Sequence, residues 1–439
     1  MQINTVTIVG ANGTMGRNVA AIFASFGEAK VYLVSRTLEK SQVAIENAYK
    51  SVKAESVKQN MIAADYSMLK DCVEESDLIF EACAETWPVK EDVHGKIAAI
   101  LKQCGDNTKV VCSGTSGLSI TKLAEIYHEE IRNRFIGMHF FNPPYNLTLC
   151  ELIPTEYTND GYIREVYEYL DVKLRRTAVV TKDMPAFLGN RIGLHFINKA
   201  LQLAEEYKYN GGIDFIDAVF GQFTGRNMAP LVTANFVGLD VHKAVVDNLY
   251  ENTNDYAHED FKLPEYVANL IKEGKLGRKA GLGLYRTVLH DSGVKIHQVY
   301  DIEHGDYREV IKYSFPFIEE MIAYLREGDY EHAKNVLIHN QSAEAKLCRN
   351  LLLEYMVYAL ATTEIVGESV HDADDVMATG FGWCPPLAMI EAFGGREAFV
   401  QLYKAYAEEK QMNVVDIDAI AETIEKSNYD YRRFIKAKK

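Results

Sequence analysis

The sequence predicts an α/β plus all-α protein: a doubly wound sheet over residues 1–182, then two tandem helical domains at 183–287 and 346–439, joined by a linker and connecting helices at 288–345. Three observations predict it. The first 36 residues read strand, glycine turn, helix, strand. After Asp183 the apolar spacing changes to three and four, the period of a helix with one buried stripe. The run from Tyr358 to Gly395 then echoes the run from Lys199 to Asp240.

The first element, "VTIV", is β-branched and strand-like. "TMGRNVAAIFASFG" is helical and stops at a glycine, and "KVYLVS" is the second strand. That context gives weight to the turn between them, a Rossmann-type fingerprint in which Gly13 and Gly16 fill the second and third glycine places and Ala11 stands in the first. Gly13 would let the backbone approach a pyrophosphate, Gly16 would let helix and sheet pack closely, and Met15 lies in the same loop as a cofactor contact. The anion would meet the unpaired N–H groups of the helix N-terminus.

At the end of the second strand, where an NAD-binding unit usually carries an acid on the ribose 2′-hydroxyl, stand Ser35 and Arg36. A carboxylate there would repel a 2′-phosphate, whereas a hydroxyl followed by a guanidinium would receive one. NADP(H) is therefore expected in preference to NAD(H). Further strands follow in "SDLIFEACAE", "TKVVCSGTSG", "FIGMHFFN", "LTLCELIP" and "RRTAVVT". Their alternation with helices argues for a mostly parallel sheet.

The run "FIGMHFFNPP" places His139 in an apolar strand, and Glu151 lies on the next strand beyond a turn. An antiparallel return would set the carboxylate opposite the imidazole. One ring nitrogen would then be fixed and the other left free to take a proton from a substrate hydroxyl. Taken alone, the pair also describes a core histidine satisfied by a structural acid.

Other properties narrow the function classes. The chain has 439 residues, of which 48% are apolar and 25% charged, enough for several real cores. A net charge of −15 argues against a nucleic-acid surface. No apolar run approaches the ~20 residues of a membrane span. The opening "MQINTVTIVG" lacks the marks of a signal peptide. The seven cysteines form no CxxC pair, so reduced thiols, no metal site and a cytoplasmic location are expected.

The runs "FIGMHFFNPPYNLTLCELIPT", "SGTSGLSITKLAEI", "EACAETWPVK", "DMPAFLGNRIGLHFINKALQLAEE" and "LGRKAGLGLY" closely resemble the L-3-hydroxyacyl-CoA dehydrogenases in order and spacing. The resemblance implies an acyl-CoA substrate, with His139 as general base, Glu151 orienting it, Ser116 meeting the substrate oxygen and Asn190 completing the site. It implies cofactor contacts from Asn142, Glu85, Lys90 and Lys279. Each has a plainer alternative: Ser116 and Asn142 suit turns, Asn190 a helix cap, and the two lysines solvated charges. The family usually has Asn where Gly114 stands, Ser where Gly117 stands and an acid where Ser35 stands, so the loop beside the nicotinamide is altered. Lys50, Lys53 and Lys58 are candidates for CoA phosphates or for a solvated helix face.

In the repeat, Ala359–Leu360 lies opposite Ala200–Leu201, Glu364 opposite Glu205, Pro386–Leu387 opposite Pro230–Leu231 and Phe393 opposite Phe236. "GFGWCPP" resembles the second helical domain of the multifunctional fatty-acid oxidation enzymes. Such a copy could cover the face that simpler relatives bury by dimerising, so either a pseudo-symmetric monomer or a dimer is expected. A dehydrogenase of a 3-hydroxy acid without CoA, and a nucleotide-sensing relative without catalysis, remain open alternatives. The sequence leaves acyl chain length and physiological direction undetermined.

Overall fold

In the computed structural model, which describes residues 1–290, 292–412 and 415–438, the chain forms two compact units. Residue 291 of the expected linker, and residues 413, 414 and 439 of the expected second helical domain, lie outside the described residues. Unit 1 holds residues 1–187 with short returns at 366–368 and 379–381; unit 2 holds 188–365, 369–378 and 382–439.

Unit 1 is built on eight strands: β1 (Thr5–Val9), β2 (Lys30–Ser35), β3 (Met61–Asp65), β4 (Leu78–Glu81), β5 (Val110–Ser113), β6 (Phe135–Phe140), β7 (Leu149–Ile153) and β8 (Thr177–Val180). Their order is β3-β2-β1-β4-β5-β6-β7-β8. The first six run parallel, β7 returns antiparallel to β6, and β8 runs with β7. β4 to β7 are buried along their whole length, as expected of strands covered on both faces. On one face Val19, Phe23, Ala44 and Val166, from three helices, close a core against the sheet. On the other, Leu69, Val93, Ile97 and Leu101 do the same. This is the doubly wound arrangement, in which the loops at the carboxyl ends of the strands frame a cleft.

Unit 2 contains both helical copies. Helices Gly189–Glu206, Ile213–Val219, Pro230–Val237 and Leu239–Asn252 make the first; Ala343–Val366, His371–Val376, Pro386–Ala392 and Arg396–Glu409 make the second. The long helices Gly189–Glu206 and Ala343–Val366 pair reciprocally. With Ala200 opposite Ala359, His195 corresponds to Glu354 and Lys199 to Tyr358. His195 stacks on Tyr358 with centroids 3.9 Å apart, and Lys199 reaches Glu354 at 3.4 Å. Phe196 meets its own counterpart Tyr355 at 5.8 Å. Residue i touching j′ while j touches i′ is the signature of a two-fold interface, here contained in one chain.

A second correspondence lies at the short helices. The Asp217 carboxylate accepts the Leu231 and Val232 N–H groups at 2.8 and 3.0 Å, and that of Asp374 accepts the Leu387 N–H at 2.8 Å. Each caps the helix that opens Pro230–Leu231 or Pro386–Leu387. The stretch between the copies holds more than connecting helices. Strands β9 (Tyr285–Leu289), β10 (Lys295–Asp301) and β11 (Asp306–Glu309) form an antiparallel sheet ahead of helices Pro316–Glu327 and Tyr330–His339. Arg308 fastens that sheet to the first copy through a forked pair of bonds to Asp214, at 2.8 and 2.7 Å.

Candidate active site

His139 and Glu151 occupy directly opposed positions on β6 and β7. Nδ1 of His139 lies 2.7 Å from Oε2 of Glu151, and the histidine is only 5% exposed. A carboxylate accepts but does not donate, so the shared proton sits on Nδ1 and the lone pair on Nε2. That second nitrogen lies 3.1 Å from Oγ of Ser116. Phe141 and Phe187 pack against the ring, with centroids at 4.7 and 5.6 Å, and hold its plane. The arrangement offers one basic nitrogen, one hydroxyl and an apolar wall, which suits moving a proton on or off an oxygen.

Ser116 sits in the loop after β5. The Asp183 carboxylate accepts N–H bonds from Ile120 at 3.0 Å and Thr121 at 2.8 Å, and a hydroxyl bond from Ser119 at 2.8 Å. This pins the helical end of the loop. At the other end Glu85 Oε1 accepts the Ser116 N–H at 2.9 Å, the Gly117 N–H at 3.2 Å and the Thr115 hydroxyl. Lys90 is 1% exposed, with its ammonium on Glu81 at 2.9 Å and Glu85 at 3.4 Å. The bonds these two side chains make thus run to the Ser116 loop and to the interior. Glu81 itself has no assigned role in the sequence analysis, although Glu85 and Lys90 do. The signal was present, since "LIFE" carries an acid in an apolar strand just as "MHFF" carries a histidine.

The glycine turn lies at the carboxyl end of β1. Gly10 has φ +88°, and a Cβ there would stand 2.7 Å from the Ala82 carbonyl. A Cβ on Gly16 would stand 2.7 Å from the Gly10 carbonyl, so this glycine serves the close approach of helix and turn. Gly13 differs, because a Cβ there meets no protein atom nearer than 3.4 Å. Helix Thr14–Ser25 begins at Gly13 with no side-chain cap and no acid in its first turn. A bare N-terminus beside an open cradle fits the pyrophosphate of a dinucleotide. Ala11 is buried beneath the turn, and Met15 packs half-buried on the core. Asn142, exposed just past β6, accepts a 3.3 Å bond from Asn18 of that helix, which links the histidine strand to the glycine turn.

A cleft of about 630 Å³ opens here, lined by Gly13, Ser35, Arg36, Cys83, Val89 and Lys96 among others. Ser35 is buried, and its Oγ has no hydrogen-bond partner among the described residues. Its register partner on β3, Asp65, turns its carboxylate onto the Ser67 N–H and hydroxyl at 2.9 and 2.6 Å. Asn190 and Lys279 belong to unit 2. Asn190 is the second residue of helix Gly189–Glu206, and Lys279 is ion-paired with Asp240 at 2.6 Å. Among the described residues no group of three or more acids, histidines and cysteines could hold a metal, no helix is long and apolar enough to cross a membrane, and all seven cysteines are free.

Residues 5–184 match the family model described as 3-hydroxyacyl-CoA dehydrogenase, NAD binding domain, and 187–287 match 3-hydroxyacyl-CoA dehydrogenase, C-terminal domain. The chain is 29% identical over 332 residues to a probable 3-hydroxyacyl-CoA dehydrogenase of Bacillus subtilis, covering 75% of this chain and 40% of that protein's length. It is 32% identical to a 3-hydroxybutyryl-CoA dehydrogenase of Bradyrhizobium diazoefficiens, over 64% of this chain and 95% of that one. In fold it is similar to the solved 3-hydroxybutyryl-CoA dehydrogenase of Escherichia coli, with TM-score 0.69 at 19% identity over 97% of this chain and 99% of that one.

Proposed function

From the premise that the chain belongs to the 3-hydroxyacyl-CoA dehydrogenase family, we propose that it interconverts an L-3-hydroxyacyl-CoA and the 3-oxoacyl-CoA. The observation that carries this reading is the line Glu151–His139–Ser116, with Nδ1 on the carboxylate at 2.7 Å and Nε2 3.1 Å from the hydroxyl. In oxidation, Nε2 of His139 takes the proton of the 3-hydroxyl. Glu151 holds Nδ1–H and stabilises the imidazolium that forms. The Ser116 hydroxyl donates to the substrate oxygen and keeps it within reach of Nε2. The nicotinamide, when bound, supplies the hydride acceptor or donor.

The cofactor reading is finer. The chain has an NAD-binding-type domain, and a preference for NADP(H) is proposed. The strand-β2 terminus offers a buried hydroxyl without a partner and an exposed guanidinium, while the nearby Asp65 carboxylate is engaged by Ser67. One experiment tests both readings: purified protein, acetoacetyl-CoA, and NADH or NADPH in separate cuvettes, followed by loss of reduced-cofactor absorbance. Turnover of acetoacetyl-CoA with either cofactor supports the reaction. Absence of turnover with both cofactors removes it, and a strong NADH preference removes only the NADP(H) reading.

A further inference from the structure

We propose that Glu81, Lys90 and Glu85 form a positioning brace that holds the Ser116 hydroxyl in register with His139, a role additional to the cofactor contact that the family resemblance implies for Glu85 and Lys90. The inference rests on the assignment of His139 and Ser116 to the chemistry above.

The brace starts from a buried charge. Glu81 ends β4, is fully buried, and would be costly there without donors. It has them on every side: the Lys90 ammonium at 3.0 and 2.9 Å, the Ser113 hydroxyl at 2.6 Å, the Cys83 N–H at 2.5 Å and the His94 ring at 3.3 Å. Burial pushes the carboxyl up, but the His94 bond and the Lys90 charge outweigh it and hold it well below the usual carboxylate range. Burial also pulls Lys90 down, but Glu81 and Glu85 outweigh it and leave the ammonium raised. Burial lowers the pKa of the His94 ring, against the pull of Glu81, and so favours its neutral form. It therefore donates from Nε2 to Glu81 and accepts the Tyr127 hydroxyl on Nδ1 at 2.6 Å. Anion and cation are thus fixed together inside the unit.

Two arms run from this anchor to the loop. In the first, Glu81 accepts the Ser113 hydroxyl, and Ser113 Oγ accepts the Thr115 N–H at 3.3 Å. The Gly114 N–H also meets the Glu81 carbonyl at 2.8 Å. A Cβ on Gly114 would stand 2.6 Å from the Phe80 ring, so the loop is pressed onto β4. In the second arm, Lys90 draws on one oxygen of Glu85 at 3.4 Å, and the other oxygen gathers donors from the consecutive residues Thr115, Ser116 and Gly117. Both arms end one residue from, or on, the serine whose Oγ meets His139. An error of 1 Å at such a contact costs about 100-fold in rate.

The test is a set of mutant cycles on the full chain: Glu85→Gln and Glu81→Gln, each alone and combined with Ser116→Ala. Readouts are kcat, KM and cofactor Kd by fluorescence quenching. In the Ser116 background each glutamine variant should lower kcat at saturating cofactor by about 10- to 100-fold, whatever its change in cofactor Kd. In the Ser116→Ala background the same change should cost little, because the group it positions is gone. Equal losses in both backgrounds, or a loss confined to cofactor Kd, overturn the proposal. Glu85 is half exposed, so Glu85→Gln carries the test if Glu81→Gln does not fold. His139→Gln separates the two layers. Wild-type turnover in that variant removes the reaction assignment, whereas an inactive His139→Gln with additive Glu85 and Ser116 losses removes only the brace.

Discussion

Glu151 stands opposite His139 in the register of two antiparallel strands, and the bond between them is 2.7 Å long. Backbone pairing puts the two side chains within reach of one another, because opposed residues of adjacent strands point to the same face. The carboxylate is fully buried, so no water competes for Nδ1.

His139→Gln is expected to lower kcat by about 10²- to 10⁴-fold while cofactor binding persists. Steady-state kinetics and cofactor titration check it. Glu151→Gln should also lower kcat, since an amide can present a donor to Nδ1 and so favour the other tautomer. Wild-type turnover in either variant refutes the assigned role.

Arg36→Ala is expected to cut the kcat/KM ratio of NADP+ to NAD+ by about tenfold, the value of one charge-assisted bond. The NAD+ value itself should change little. A ratio unmoved by the substitution places Arg36 outside the cofactor's reach.

Asp217 links pH to stability. Burial raises its carboxyl to about 7, against 3.8 for the free group, despite bonds from Tyr285, Leu231 and Val232 that pull the other way. The folded state therefore holds a proton that the unfolded chain has released between these values. Stability from this group is full below the unfolded value and is lost as pH rises toward about 7. Asp217→Asn should flatten that part of the Tm-against-pH curve, measured by calorimetry from acid to neutral pH. An unchanged slope contradicts the linkage.

Tyr358 joins the two helical copies. Its hydroxyl accepts from Arg191 Nε at 3.1 Å and donates to Asp255 at 3.0 Å, beside the 2.6 Å Arg191–Asp255 ion pair. Tyr358→Phe should cost about 1–3 kcal/mol, because buried charged groups lose a partner. Urea unfolding reports it, and a shift below experimental error contradicts it.

The sequence by itself determined seven of the eight strands of unit 1, all but β3 (Met61–Asp65), and with them the glycine turn, the duplication and the candidate histidine, because each is written as a local run or a local anomaly. Short β-branched and apolar runs marked the strands, three-and-four spacing marked the helices, and a histidine in an apolar strand stood out against its neighbours. β9–β11 were less legible, since short half-exposed strands carry weak alternation. Only the tertiary structure decided that Glu85 turns to the Ser116 loop, that Lys90 ties it to the buried Glu81, and that Lys199 answers Glu354 as His195 answers Tyr358. Those facts depend on which strand ends and which helix faces meet. A side chain's partner is chosen by space, and residues far apart in sequence leave no mark in the sequence of the distance that will separate them.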